Sequence, residues 1–241
     1  MISDSSGAPL SVLAFIPILS GDAEFQRGAL PLLHGRPLIR YTLEAAATAA
    51  CVDRIVVSTD NADIAHTARE LGAEVPFLRQ GRLADRSTPV MDVLNATLDR
   101  LAEGGFAPGV VVFLEVTHPL RPDGLIDQVV TALVRENLDS VFAAREERHR
   151  FWGYTASGEL ERVGADETSP REAKQPLYKE LDGLALATRA EVIRRGKRLG
   201  ERIGVVPIRD LSSLIDLHDP DGFELAERLL AHRRSAGSHA G

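Results

Sequence analysis

The chain is poor in the residues that carry much protein chemistry. It has one cysteine, Cys51, in 241 residues, which excludes a disulfide framework and a cysteine-based zinc site. Its three lysines, Lys174, Lys179 and Lys197, stand against 25 arginines, and none lies in the first 173 positions. An anion held by that part of the chain must meet arginine, histidine or backbone N–H groups. No run of 18 apolar residues occurs, so no membrane-spanning helix is expected. The first ten residues lack the basic start and apolar stretch of a secretion signal. A formal charge of -7 argues against nucleic acid as a partner, since that affinity rests on a basic surface. The chain is expected to be cytoplasmic, with neither membrane nor nucleic acid among its partners.

What is present is an ordinary globular composition. Hydrophobic residues make up 44%, enough for one large core. The expected fold class is α/β, a Rossmann-like, mainly parallel sheet flanked by helices. Short apolar runs at residues 11–18, 53–60, 110–116 and 140–144 read as strands buried on both faces. Segments with helical spacing lie between them, at 37–50, 61–71, 89–103 and 124–136. In such sheets ligands bind beyond the carboxyl ends of the strands, which directs attention to the loops after Ile18, Ser58 and Val116. After Arg145 the pattern changes. Residues 149–163 read as a hairpin with Ser157-Gly158 at its turn. Residues 166–176 read as a loop, 189–195 as a short helix, 203–208 as a strand and 220–234 as a final helix. The expected organisation is one domain over 11–234, an inserted arm at 145–185, and flexible termini at 1–10 and 235–241.

Several segments, in order and at matching spacing, resemble the CMP-sialic acid (acylneuraminate) and CMP-KDO synthetases, sugar-activating cytidylyltransferases. They are Ile16-Pro17, Gly35-Arg36-Pro37-Leu38-Ile39, Arg54 to Asp60, Gly72 to Arg79, Thr117-His118-Pro119-Leu120-Arg121, Gly183 and Ile215-Asp216. The resemblance spans about Leu13 to Leu229. It implies a nucleotide-diphospho-sugar transferase fold with a dimerisation arm, and so a homodimer. It implies transfer of CMP from CTP, or another nucleotide, to an ulosonic sugar acid, with release of pyrophosphate. Mg²⁺ is the implied cofactor.

The resemblance also nominates site residues. The family cradles the triphosphate on the loop after the first strand with arginine, lysine, asparagine and a glycine pair. Here Leu19 stands in the arginine's place, Ala23 in a lysine's and Gly28-Ala29 in that of lysine-asparagine. Only Ser20 and Gly21 remain as an anion nest, Arg27 is the loop's only cation, and Asp22 and Glu24 oppose it. Arg79 and the stretch Ala84 to Thr88 fall at family positions near the nucleotide. Ser87 either touches that nucleotide or caps the helix beginning at Pro89. Glu115 stands where the family has glutamine. An amide both donates and accepts, whereas an ionised carboxylate only accepts, which puts the choice of base in question. Thr117 completes the nucleotide set. Arg121 either binds phosphate or sugar carboxylate, or pairs with Asp123 or Asp127. Gln175, Tyr178 and Lys179 fall near family sugar-site positions. Asp216 keeps one of two family metal aspartates and, with Arg27, forms the candidate catalytic pair. His218 takes the second aspartate's place, a change that favours Mn²⁺ over Mg²⁺.

Overall fold

A computed structural model describes residues 2–3, 7, 9–20, 31–163 and 175–237. The central sheet has seven strands. In chain order they are β1 (Val12–Ile18), β2 (Arg54–Thr59), β3 (Val110–Phe113), β4 (Ser140–Glu147), β7 (Leu177–Glu180), β8 (Leu186–Arg189) and β9 (Ile203–Pro207). A separate hairpin, β5 (Phe151–Tyr154) with β6 (Leu160–Val163), lies between β4 and β7. The helices are α1 (Leu38–Thr48), α2 (Ala62–Glu70), α3 (Val90–Glu103), α4 (Leu125–Arg135), α5 (Ala190–Arg194) and α6 (Gly222–Gly237). No helix among the described residues is long and apolar enough to cross a membrane.

Strand β1 pairs in parallel with β2 and β3, and β9 in parallel with β4. Strand β8 runs antiparallel between β3 and β4, and β7 antiparallel to β4. The expected mainly parallel sheet is therefore present, with two antiparallel members. Strand β8 was not legible from its four residues, LATR. It becomes a strand because β3 and β4 satisfy its backbone on both edges. Of the segment 145–185 expected as an inserted arm, Arg145 to Glu147 and all of β7 belong to the central sheet.

Alternate residues of a strand face opposite layers, and β1 shows the consequence. Val12, Ala14, Ile16 and Ile18 join one core with residues of α1, α2, α4 and α6. Leu13 and Phe15 join a second core with Val93, Leu94 and Leu98 of α3 and Ile193 of α5. Phe15 is fully buried, and its truncation to alanine would cost about 3–5 kcal/mol. Local signals set the helix ends. Asn61 caps α2 by accepting from the N–H groups of Asp63 (2.8 Å) and Ile64 (3.1 Å). Gly72, at φ +87°, lets the chain leave that helix. The hairpin turns through Gly158 at φ +83°. Strand β3 stops at Phe113 although its apolar run continues to Val116. The Glu115 N–H leaves the ladder and donates to the Gly183 carbonyl (2.8 Å).

Candidate active site

The carboxyl ends of β1, β2 and β3 open on a cavity of about 350 Å³. Pro17 and Leu19 line it from β1. Phe113, Glu115, Val116 and Thr117 come from the end of β3. Arg79 and Arg86 come from the connection between α2 and α3, and His218 from the segment before α6. The cavity therefore lies where open α/β sheets bind ligands.

Arg79 is built in. Its N–H donates to the Thr59 carbonyl (2.9 Å), extending the edge of β2. Its guanidinium donates to Ser58 Oγ (2.9 Å) and to the Ser58 carbonyl, and the residue is 6% exposed. Arg86 rides on a tight turn in which the Asp85 carboxylate accepts from the Ser87 N–H (2.8 Å) and hydroxyl (2.7 Å). These bonds decide the alternatives left open for Ser87: its hydroxyl serves Asp85 and does not cap α3, which starts after Pro89 with no side-chain cap. Ser87 does not line the cavity; its neighbour Arg86 does. Sequence reasoning passed over Arg86, although it is the only cation in the stretch Ala84 to Thr88.

Glu115 is held from behind. The backbone of Asp182 to Leu184 forms a bulge between β7 and β8. Gly183, at φ +79°, lies so close that a Cβ there would stand 2.5 Å from the Glu115 side chain. Thr117 Oγ1 lies 3.5 Å from Glu115 Oε2. Burial pushes the Glu115 carboxyl above its ordinary pKa, with His218 opposing and the Asp182 and Asp216 carboxylates adding to the rise. A carboxyl with a larger neutral share donates as well as accepts, which narrows the difference from glutamine.

Arg121 departs from both sequence readings. It is buried, and its guanidinium donates to the carbonyls of Leu184, Gly183 (3.2 Å) and Glu115 (3.0 Å). Asp127 instead accepts from the N–H groups of Ala50 and Cys51. Burial lowers the Arg121 pKa to about 10, which leaves it cationic at neutral pH. With Nε and Nη2 on carbonyls and Nη1 3.4 Å from Thr42 Oγ1, Arg121 fixes the loop after β3 against the bulge, and it does not line the cavity.

Ser20 also departs from expectation. Its N–H donates to Asp60 Oδ1 (2.7 Å) and its hydroxyl to Asp60 Oδ2. An internal carboxylate thus takes both donors that Ser20 was expected to bring to the anion nest. Gly21 and Arg27 lie outside the described residues. Gln175, Tyr178 and Lys179 are exposed and none lines the cavity; the last two are on edge strand β7.

Asp216 and His218 do meet. Asp216 Oδ1 lies 2.8 Å from His218 Nδ1 and accepts from the His218 N–H (3.0 Å). His218 lines the cavity, so the pair stands at its rim. Among the described residues no group of three or more His, Cys, Asp or Glu side chains forms a metal cage. His118, 3% exposed, reaches the same carboxylate from the inside, with Nε2 3.9 Å from Asp216 Oδ2.

A mainly parallel α/β sheet carries two arginines in a cavity at its strand ends, the place where such sheets bind ligands. The chain belongs to the cytidylyltransferase family, whose model matches residues 27–193. It is 26% identical over 230 residues to CMP-N,N'-diacetyllegionaminic acid synthase of Legionella pneumophila, covering 94% of this chain and 99% of that protein. It is 28% identical to pseudaminic acid cytidylyltransferase of Campylobacter jejuni over 56% of this chain and 58% of that one. Among solved structures, CMP-2-keto-3-deoxy-manno-octonic acid synthetase complexed with CTP matches with a TM-score of 0.65. It covers 92% of this chain and 99% of its own, at 14% identity, and so shares the fold.

Proposed function

We propose that this chain transfers CMP from CTP to an ulosonic, sialic-acid-like sugar acid and releases pyrophosphate. The observation that carries the reading is the cavity itself: Arg79 and Arg86 on one wall, Glu115 and Thr117 on its floor, and the Asp216–His218 pair at its rim. In the reaction a sugar hydroxyl oxygen bonds to the α-phosphorus. The bond to the β,γ-pyrophosphate breaks, and the hydroxyl proton passes to solvent. Such transfer is mostly positioning and charge neutralisation. The two arginines supply cationic character to a triphosphate, and Arg79 does so from a guanidinium already oriented by Ser58. Glu115 and Thr117 offer hydrogen bonds to an uncharged part of a substrate. Asp216 would hold Mg²⁺, or Mn²⁺ with His218, and that ion would neutralise phosphate charge. The exposed apolar residues of the hairpin, Trp152 (56%), Tyr154 (78%) and Leu160 (56%), support pairing with a second copy through the arm.

The test is pyrophosphate release from CTP, with Mg²⁺ or Mn²⁺, across a panel of eight- and nine-carbon ulosonic acids. Release with one of them is the expected result; none with any, under either ion, would overturn the reading. One observation favours a second reading, a relative that binds nucleotide or sugar acid in a surface-glycan pathway without turnover. Asp60 occupies the donors of Ser20 where a triphosphate would dock. Calorimetry separates the two, because a binder takes up CTP without releasing pyrophosphate.

A further inference from the structure

His118 is buried in the loop after β3, and nothing in the reaction above uses it. A buried imidazole is costly unless its nitrogens are satisfied. Here Nε2 lies 2.7 Å from the Asp182 carbonyl. A carbonyl only accepts, so Nε2 carries the proton and Nδ1 is bare. Nδ1 is buried and has no hydrogen-bond partner. As a packing element this residue leaves Nδ1 unpaired, a cost that an apolar side chain would avoid only by giving up the bond to the Asp182 carbonyl.

Its surroundings give a better account. The same Nε2 that holds the Asp182 carbonyl faces Asp216 Oδ2 at 3.9 Å. The next residue, Leu217, donates its N–H to the Thr117 carbonyl (3.0 Å), so the two segments are tied beside the imidazole. On the other side, a Cβ on Gly222 would collide with the Asp216 carbonyl, which leaves the Asp216 backbone little room to shift. Asp216 Oδ1 is engaged by His218. The remaining freedom is rotation of the carboxylate, and what faces it is the polar Nε2–H edge of His118, anchored on the Asp182 carbonyl.

We infer that His118 is a positioning residue that sets the Asp216 carboxylate against the Asp182–Leu184 bulge. The inference rests on the proposed role of Asp216 in holding a divalent ion with the nucleotide. Partners that orient a metal ligand typically contribute about ten- to a hundredfold in metal affinity.

The experiment titrates Mn²⁺ into the full chain with CTP present and follows free Mn²⁺ by electron paramagnetic resonance, with thermal unfolding in parallel. His118→Phe keeps the volume and removes the donor. It should weaken CTP-dependent Mn²⁺ binding about ten- to a hundredfold. His118→Gln, whose amide reaches the Asp182 carbonyl, should recover most of the affinity. Asp216→Asn should lose as much, and the double variant with His118→Phe should lose little more. Should His118→Phe fail to fold, His118→Asn takes its place, because its shorter amide cannot reach Asp182. Unchanged Mn²⁺ affinity in a folded variant with a lower melting temperature would overturn the inference, as would fully additive losses. If the unsubstituted chain binds no Mn²⁺ with CTP, the proposed metal role itself falls, and that outcome is visible before any substitution is made.

Discussion

Gly183 and Glu115 are packed so closely that each fixes the other. The Gly183 carbonyl accepts the Glu115 N–H, and no side-chain atom fits between the Gly183 Cα and the Glu115 methylenes. The positive φ of Gly183 is also a conformation that other residues adopt only with strain.

Gly183→Ala should therefore destabilise the chain by about 2–4 kcal/mol, combining left-handed backbone strain with overpacking. Urea denaturation measures the loss. Because Glu115 must move, the KM for nucleotide should rise too. A variant with unchanged stability would show that the bulge is softer than its packing indicates.

Glu115 carries a pH signature. Its folded-state pKa lies above the ordinary 4.5, so the folded chain keeps a proton over a range in which the unfolded chain has released it. The stability this group contributes is complete below the ordinary value and is lost as pH rises through the raised one. Glu115→Gln removes that loss. The variant should be more stable than the parent at about pH 8, with the difference closing toward about pH 4. Denaturation midpoints across that range check it; a constant difference would contradict the raised pKa.

Arg121→Met separates structure from substrate contact. Three carbonyls lose their donor, each at about 1–3 kcal/mol, so a loss of about 3 kcal/mol or more is expected. The residual folded protein should show no selective rise in KM for the sugar acid. A folded, stable variant with a large rise in that KM alone would restore the carboxylate-binding role that the sequence suggested.

Asp60→Asn tests the contact with Ser20. The amide keeps a partner for the Ser20 hydroxyl and N–H but removes a negative charge where the triphosphate should arrive. At surface dielectrics such a charge is worth about 1 kcal/mol or more, so CTP should bind about fivefold more tightly at low salt, and less so at high salt. Calorimetry at two ionic strengths reads it, and weaker binding would mean that Asp60 serves the nucleotide.

Much of the scaffold was legible because it is written in local patterns. Near-continuous apolar runs gave β1, β2 and β3; Asn61 and Gly72 bounded α2. Arg79, Glu115 and Thr117, nominated by the resemblance for the nucleotide, and His218, nominated for the metal, line one cavity. Strand β8 was not legible, because only its neighbours make LATR extended. Arg86 was missed because nothing local distinguishes a cation that faces a cavity from one that faces water.

Residue type and spacing alone were enough for the composition of the layers, the family, and the lack of lysine in the first 173 positions, which leaves an anion there to arginine, histidine or backbone N–H groups. Those are properties of residue type and spacing, which do not depend on distant contacts. The tertiary structure decided which donors remain available. Arg121 and Ser20 read as ligand contacts, yet the fold brings carbonyls to one and a carboxylate to the other. A donor engaged inside the protein is less available to a substrate, and whether it is engaged depends here on residues 40 to 63 positions away.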